Sequence, residues 1–221
     1  MNHIQIPYIA FIKRNHPIEE ASAKLDDLNK TELAESPWAN YEHKPIVRFA
    51  IGHAGHSILL KYQVSEKSIL AVHRTTNQPV YEDSCVEFFI AFNGEEKYYN
   101  FEFNCMGTCL AGFGSGRVGR ELLPVDLIKE IKVHSIIKAT SADGFINWEL
   151  SLMIPLTVFC RHRLTFMEGQ YCKMNFYKCG DHLPEPHFLA WNNIVSPDPD
   201  FHLPEFFGTG LFGLIPETVF I

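Results

Sequence analysis

Three observations predict an all-β fold, an antiparallel β-sandwich or jelly roll with one short N-terminal helix. Apolar and polar residues alternate with a period of two through about ten short segments. The chain is rich in aromatics, with 18 Phe, 8 Tyr and 3 Trp, which favour a pleated, half-buried surface. Its 14 Gly and 13 Pro supply the turns that many short strands require. No internal repeat, low-complexity linker or composition break divides the 221 residues, so a single domain is expected. Its core spans about residues 45–215, after an N-terminal extension carrying the helix at about 17–29.

Taken in order, residues 4–11 read as extended. Ile18, Ala21, Leu25 and Leu28 then recur at three and four, the spacing of a helix with one buried stripe. Pro17 stands where the start of a helix tolerates it. A loop through Pro37, Trp38 and Tyr41 leads into the sheet, with Trp38 read as packing. Val47, Phe49 and Ile51 alternate, and so do Ile58, Leu60, Tyr62 and Val64, with a Gly/His turn between them. Residues 69–72 read as a further short strand.

The centre of the chain is 79–104. Val86, Phe88, Ile90 and Phe92 alternate with Cys85, Glu87, Phe89 and Ala91. On the return, Tyr99, Phe101 and Phe103 alternate with Asn100, Glu102 and Asn104. Asn93-Gly94-Glu95-Glu96-Lys97 between them has the composition of a hairpin loop. Further strands are predicted at 108–113, 133–139, 145–154, 174–178, 187–191 and 206–214. Short helical turns are expected at 125–131 and 156–159, a turn at 141–144, and a long loop at 192–204.

A formal charge of −7 leaves no basic stripe to neutralise phosphates, which argues against a nucleic-acid partner. No apolar run approaches the roughly 18 residues of a membrane span. The N-terminus lacks the pattern of an export signal, so a cytoplasmic location is expected. The six cysteines include no CxxC pair and read as mostly buried, reduced thiols.

Three sets of residues could carry chemistry. An odd register sum in the central hairpin places Glu87 and Glu102 on one face, joined there by Asn104, with Tyr81 at the entry. Such a carboxylate pair can accept bonds from sugar hydroxyls, hold a cation, act as the paired acids of a glycosidase, or simply form a solvated face. The second set is Tyr81 and Trp191, aromatics outside the core alternation. Together they would offer apolar faces to a sugar ring, or else cap the core. Trp148 lies within a strand pattern and reads as core. The eleven histidines show no HExxH spacing and no tight pairing with Cys. No GxSxG elbow is present, and Gly112-Phe113-Gly114-Ser115-Gly116 lacks the lysine of a phosphate loop.

These blocks carry a resemblance. Pro79-Val80-Tyr81-Glu82-Asp83-Ser84-Cys85-Val86-Glu87-Phe88-Phe89 is followed by Trp148-Glu149-Leu150 and Ile154-Pro155-Leu156. Trp191 and Pro204-Glu205-Phe206-Phe207-Gly208 come last. In this order they resemble the family 9 carbohydrate-binding modules over about residues 47–212. The resemblance implies a jelly-roll-like sandwich that holds a mono- or disaccharide, or the end of a polysaccharide, between two rings without turning it over. Tyr81 corresponds to the first ring, where Trp is usual, and Trp191 to the second. Glu87 then orients hydroxyls, and Arg117 or Arg120 supplies a basic contact. The resemblance implies no catalytic cofactor. It allows a structural calcium ion to which no residue here can be assigned. Two alternatives stand beside it: a glycoside hydrolase using Glu87 and Glu102, and a haem-binding sandwich drawing axial ligands from Met106, Met153, Met167 or Met174 with His.

Overall fold

A computed structural model describes residues 1–138, 140 and 144–216. Its strands, in chain order, are β1 (His3–Ile6), β2 (Thr31–Glu32), β3 (Ile46–His53), β4 (Ser57–Glu66), β5 (Cys85–Phe92), β6 (Tyr98–Asn104) and β7 (Cys109–Gly114). They continue with β8 (Glu121–Leu122), β9 (Lys132–Ile137), β10 (Ile146–Pro155), β11 (Tyr171–Cys179), β12 (Phe188–Ala190) and β13 (Gly208–Phe212). The helices are α1 (Ile18–Asp26) and α2 (Val125–Ile128). Among the described residues, none of the helices is long and apolar enough to cross a membrane.

The strands form two sheets. The larger runs β1-β13-β11-β5-β6-β7-β8, with β12 also paired to β11. The smaller runs β2-β3-β4-β10-β9. Neighbours pair antiparallel except β1 and β13, which are parallel. The alternation read from the sequence explains how the sheets meet. Val86, Phe88, Ile90 and Phe92 of β5 point inward with Phe101 and Phe103 of β6, and pack on Phe49, Leu60 and Tyr62 of the smaller sheet. Phe49 stacks on Phe176 at 3.9 Å between centroids, and Phe176 in turn on Phe88 at 5.1 Å.

Two further apolar layers lie outside the sandwich. Ile18, Ala21 and Leu25 of α1 cover Ala50, Leu59 and Met153 on the back of the smaller sheet. Glu19 and Glu20 in the first turn of α1 complement its dipole. The Lys30 ammonium caps the other end by donating to the carbonyls of Asp26 and Leu28, at 2.5 and 2.9 Å. On the back of the larger sheet, Cys85, Phe89 and Tyr177 lie beneath loop residues Trp38, Phe201 and Phe207. This second layer makes β5, β6 and the second half of β11 buried on both faces, so the outer face of the central hairpin lies under loops.

The hairpin closes as its sequence dictates. Asn93 and Gly94 both have positive φ (55° and 72°), as a type I′ turn requires, and the Glu95 N–H bonds the Phe92 carbonyl at 3.0 Å.

Residues 69–72 do not form the expected strand. The N–H groups of Leu70 and Val72 are taken instead by the Ser84 hydroxyl and the Asp83 carboxylate, at 3.1 and 2.9 Å. Once those donors are bonded to side chains, they are withdrawn from any sheet ladder. The closing strand starts at Gly208, because Pro204–Phe206 form a 3-10 turn. Of the predicted turn at 141–144, Ser141, Ala142 and Asp143 lie outside the described residues, as does Ala139.

Candidate functional site

Glu87 of β5 pairs directly with Glu102 of β6. The period of two then sets Cys85 beside Glu87, and Asn100 and Asn104 beside Glu102, on the sheet face turned away from the sandwich core. On the other side of β5, Cys179 of β11 lies opposite Cys85. Over this face opens a cavity of about 270 Å³, with Glu87, Glu102, Asn100, Leu110 and Cys179 in its lining. That volume is at the small end of ligand sites, suited to one or two rings rather than a long chain.

Tyr81 sits on the 3-10 turn Val80–Glu82 at the rim, 37% exposed. Its carbonyl accepts the Asp181 N–H at 3.2 Å, and the Glu82 carbonyl accepts the His182 N–H at 3.1 Å. The turn and the Asp181 loop are thereby tied into one wall. Phe188, Phe201 and His202 also line the cavity. The Phe201 ring stacks on Tyr177 at 4.2 Å and 8°, and the Tyr177 hydroxyl donates to the Phe201 carbonyl at 3.1 Å, so its orientation is fixed. The Tyr98 hydroxyl bonds His202 Nδ1 at 2.9 Å.

Loop 115–120 brings Arg117 and Arg120 to the site. Arg120 is committed to the protein. It donates through Nε to Asn100 Oδ1 (2.9 Å), through Nη1 to the Gly116 carbonyl (3.0 Å) and through Nη2 to the Tyr98 carbonyl (3.0 Å). Its guanidinium also lies 4.3 Å from the Tyr98 ring centre. Because Arg120 occupies Asn100 Oδ1, the Asn100 amide NH₂ is turned to Glu102 Oε1, at 2.8 Å. The other Glu102 oxygen, Oε2, is buried and has no hydrogen-bond partner among the described residues, and the same holds for Asp181 Oδ1.

Burial dominates the electrostatics. It pushes the Glu87 carboxyl well above the usual carboxylate range, reinforced by Cys179, whose thiol donates to Glu87 Oε1 at 3.1 Å, and by Glu102. Burial also raises Glu102 to about 7, with the Asn100 amide and Arg120 pulling the other way. Asp181 rises to about 6 for the same reason, against the pull of Arg117. His202 is driven down to about 3 by burial and the two arginines, so it is neutral at physiological pH.

The model of carbohydrate-binding family 9 matches residues 19–212. The chain belongs to carbohydrate-binding family 9. Among solved structures, it is similar to a protein of Bacteroides uniformis ATCC 8492 assigned to carbohydrate binding. The identity is 36%, over 95% of this chain and 98% of that one, with a TM-score of 0.87. A family 9 module of Caldicellulosiruptor kristjanssonii in complex with cellotriose matches at 9% identity, over 98% of this chain and 96% of that one, with a TM-score of 0.61. Its complex with glucose matches at 10% identity, over 98% of both chains, with a TM-score of 0.57. At those identities the Caldicellulosiruptor structures attest the family 9 fold. No curated protein matches the sequence.

Of the residues expected to form the family 9 site, Tyr81, Glu87, Glu102 and Arg117 come together around the cavity. Trp191 and Asn104 do not. Trp191 is 5% exposed and packs edge-on against Phe176 and Phe49, with centroids at 5.5 and 6.3 Å, inside the sandwich core. It follows β12, whose alternation turns Trp191 inward and Phe188 toward the cavity. The expectation of a stacking face there is therefore corrected: Phe188 and Phe201 are the phenyl rings that line the cavity with Tyr81. Asn104 is spent on the chain. Its amide donates to Asp83 Oδ2 and to the His73 carbonyl, both at 2.8 Å, and its Oδ1 accepts the N–H groups of Met106 and Thr108 at 3.2 and 3.0 Å.

Asn100, Asp181 and Phe201 join the site without having been expected there. Asn100 shares the alternating face of Glu102, so its signal was present in the strand pattern. Asp181 and Phe201 stand in loops: the pairing of β11 with β5 delivers the first, and stacking on Tyr177 holds the second. As for metals, Cys85, Glu87 and Cys179 are the one set of three metal-ligating side chains within 4.8 Å of one another among the described residues. Two thiols and one carboxyl do not fit calcium, which takes roughly six to eight oxygens.

Proposed function

We propose that the protein binds a mono- or disaccharide, or the end of a polysaccharide, in the cavity above Glu87 and Glu102, without turning it over. The observation that carries this reading is the lining itself. Acceptor oxygens of Glu87, Glu102 and Asp181 lie beneath, while Tyr81, Phe188 and Phe201 stand around them. A sugar ring has apolar C–H faces that pack on aromatic rings, and a rim of hydroxyls that needs buried polar partners. Membership of family 9 and the saccharide complexes of the Caldicellulosiruptor modules support it. Arg117, which lines the cavity near its rim, supplies the outer polar contact in this reading.

Turnover by Glu87 and Glu102 is not favoured. A glycosidase needs one protonated and one ionised carboxyl flanking the scissile bond. Here the two lie side by side in one floor, and burial raises both. A haem site is not favoured either. Met153, Met167 and Met174 are core residues, Met106 is on the surface, and no methionine lines the cavity. Binding of this kind calls on no cofactor, and the six free cysteines fit a reducing, cytoplasmic setting.

Isothermal titration with glucose, cellobiose, xylobiose and their alditols, with and without calcium, tests the reading. Heat from a cyclic sugar, lost in Tyr81→Ala, is expected. No heat from any sugar at protein concentrations that detect millimolar affinity would overturn it.

A further inference from the structure

The floor of the cavity is built from acceptors with too few donors. Four carboxyl groups line the cavity, Glu87 and Glu102 from the sheet and Asp181 and Asp200 from loops. None of the four forms an ion pair among the described residues. Of the two lining arginines, Arg120 spends its guanidinium on Asn100 and two backbone carbonyls. Glu102 is only 4% exposed, with Oε1 taken by Asn100 and Oε2 unpartnered. Asp181 Oδ1 is likewise buried without a partner.

A neutral hydroxyl offers one donor and no charge, whereas an ammonium offers three donors and a full positive charge. Placed against Glu102 Oε2, an ammonium would satisfy the orphaned oxygen and offset two carboxyls that burial otherwise disfavours as anions. A divalent metal is the poorer fit. The set of three ligand atoms close enough to share an ion uses Glu87 with two cysteines, and leaves out both Glu102 and Asp181.

Resting on the saccharide reading above, we infer that the cavity selects a sugar carrying a free amino group, with the ammonium seated at Glu102 Oε2 beside Asp181. Arg120 is a positioning residue in this account: by holding Asn100 Oδ1, it aims the amide at Glu102 Oε1 and leaves Oε2 for the ligand. N-acetylation removes both the charge and two donors, so an N-acetyl sugar loses the advantage.

The test is isothermal titration at pH 6.5 of the full chain with three pairs: glucose and glucosamine, galactose and galactosamine, mannose and mannosamine. N-acetylglucosamine serves as the uncharged control. In at least one pair the amine is expected to bind about tenfold or more tightly than its neutral partner, the gain of a charge-assisted hydrogen bond. That ratio is expected to collapse toward one in Glu102→Gln and to fall severalfold in Asp181→Asn. The second variant covers the case in which the first does not fold. Repeating the glucosamine titration in phosphate and in Tris reads proton release, because Glu102 gives up its proton to meet the ammonium; glucose should release none. Neutral sugars binding as tightly as amines, or a ratio that survives both variants, would overturn this inference and leave saccharide binding standing. No binding by either class would overturn both.

Discussion

Glu87 and Glu102 face each other across adjacent antiparallel strands, 3% and 4% exposed, and neither forms an ion pair among the described residues. Two carboxyls buried together in this way oppose folding whenever they ionise. They sit at the floor of a cavity whose lining includes the rings of Tyr81, Phe188 and Phe201, where a ligand can supply the missing donors. The cost to stability and the capacity to bind have the same origin.

The first prediction concerns pH. The folded protein holds the Glu102 carboxyl at about 7, above its ordinary value of 4.5, so the folded state keeps a proton that the unfolded chain releases. The contribution of Glu102 is therefore full below about 4.5 and is lost as pH rises through 7. The penalty is on the order of 3 kcal/mol. Glu102→Gln, which cannot ionise, should melt close to the parent at pH 5 and roughly 5–10 °C above it at pH 8. Calorimetry across that range checks it, and a constant difference would refute it. His187 and His202 act in the opposite direction. Burial holds them down to about 2 and about 3, so their contribution is lost as pH falls below 6.5.

The second prediction separates the two aromatics. Trp191→Ala should cost about 3–5 kcal/mol, because the ring fills the core edge-on against the stacked pair Phe49 and Phe176. Tyr81→Ala removes a half-exposed rim ring, so it should change stability by less than about 1 kcal/mol while weakening sugar binding about tenfold or more. Urea unfolding and titration calorimetry on both proteins read this directly. Equal losses of stability would remove the distinction.

Much of this was legible in the chain. The alternation of β5 and β6 puts Glu87 and Glu102 on one face, and the register that sets Ile90 opposite Tyr99 makes them direct partners. Trp191 was not legible, because a ring followed by Asn192 and a long loop looks exposed until β12 joins β11 and its alternation turns the ring inward. Asn104 carries the same polar-face pattern as Glu102, yet it lies at the strand end, where its NH₂ is claimed by Asp83 and the His73 carbonyl and its Oδ1 by the turn at Gly107. Sequence period reports the face of a strand and is silent about loops that later cover it. For that reason Asp181 and Phe201 went unseen.

A third prediction concerns the buried charges of Lys178 and Glu66. The Lys178 ammonium, fully buried, lies 2.9 Å from Glu66 Oε2 and 2.7 Å from His187 Nε2, while Trp148 Nε1 donates to Glu66 Oε1 at 2.6 Å. Lys178→Met strands the Glu66 carboxylate and should cost about 3–5 kcal/mol. The double variant Lys178→Met/Glu66→Gln should recover most of that loss, as read by urea denaturation. No recovery would show that the lysine acts through packing alone.

The fourth prediction concerns Arg120. Its three hydrogen bonds use the fork of the guanidinium, which a lysine cannot reproduce. Arg120→Lys should keep the charge, release Asn100, and weaken sugar binding about as much as Arg120→Met. A lysine variant that binds like the parent would show that charge alone suffices.

A crystal structure of the protein soaked with cellobiose, or with the tightest ligand found by titration, would show where the sugar lies. One sugar ring is expected above Glu87 and Glu102, in contact with Tyr81 and with Phe188 or Phe201, and its hydroxyls or amine bonded to Glu102 Oε2. A sugar bound elsewhere on the surface, with this cavity holding only water, would contradict it.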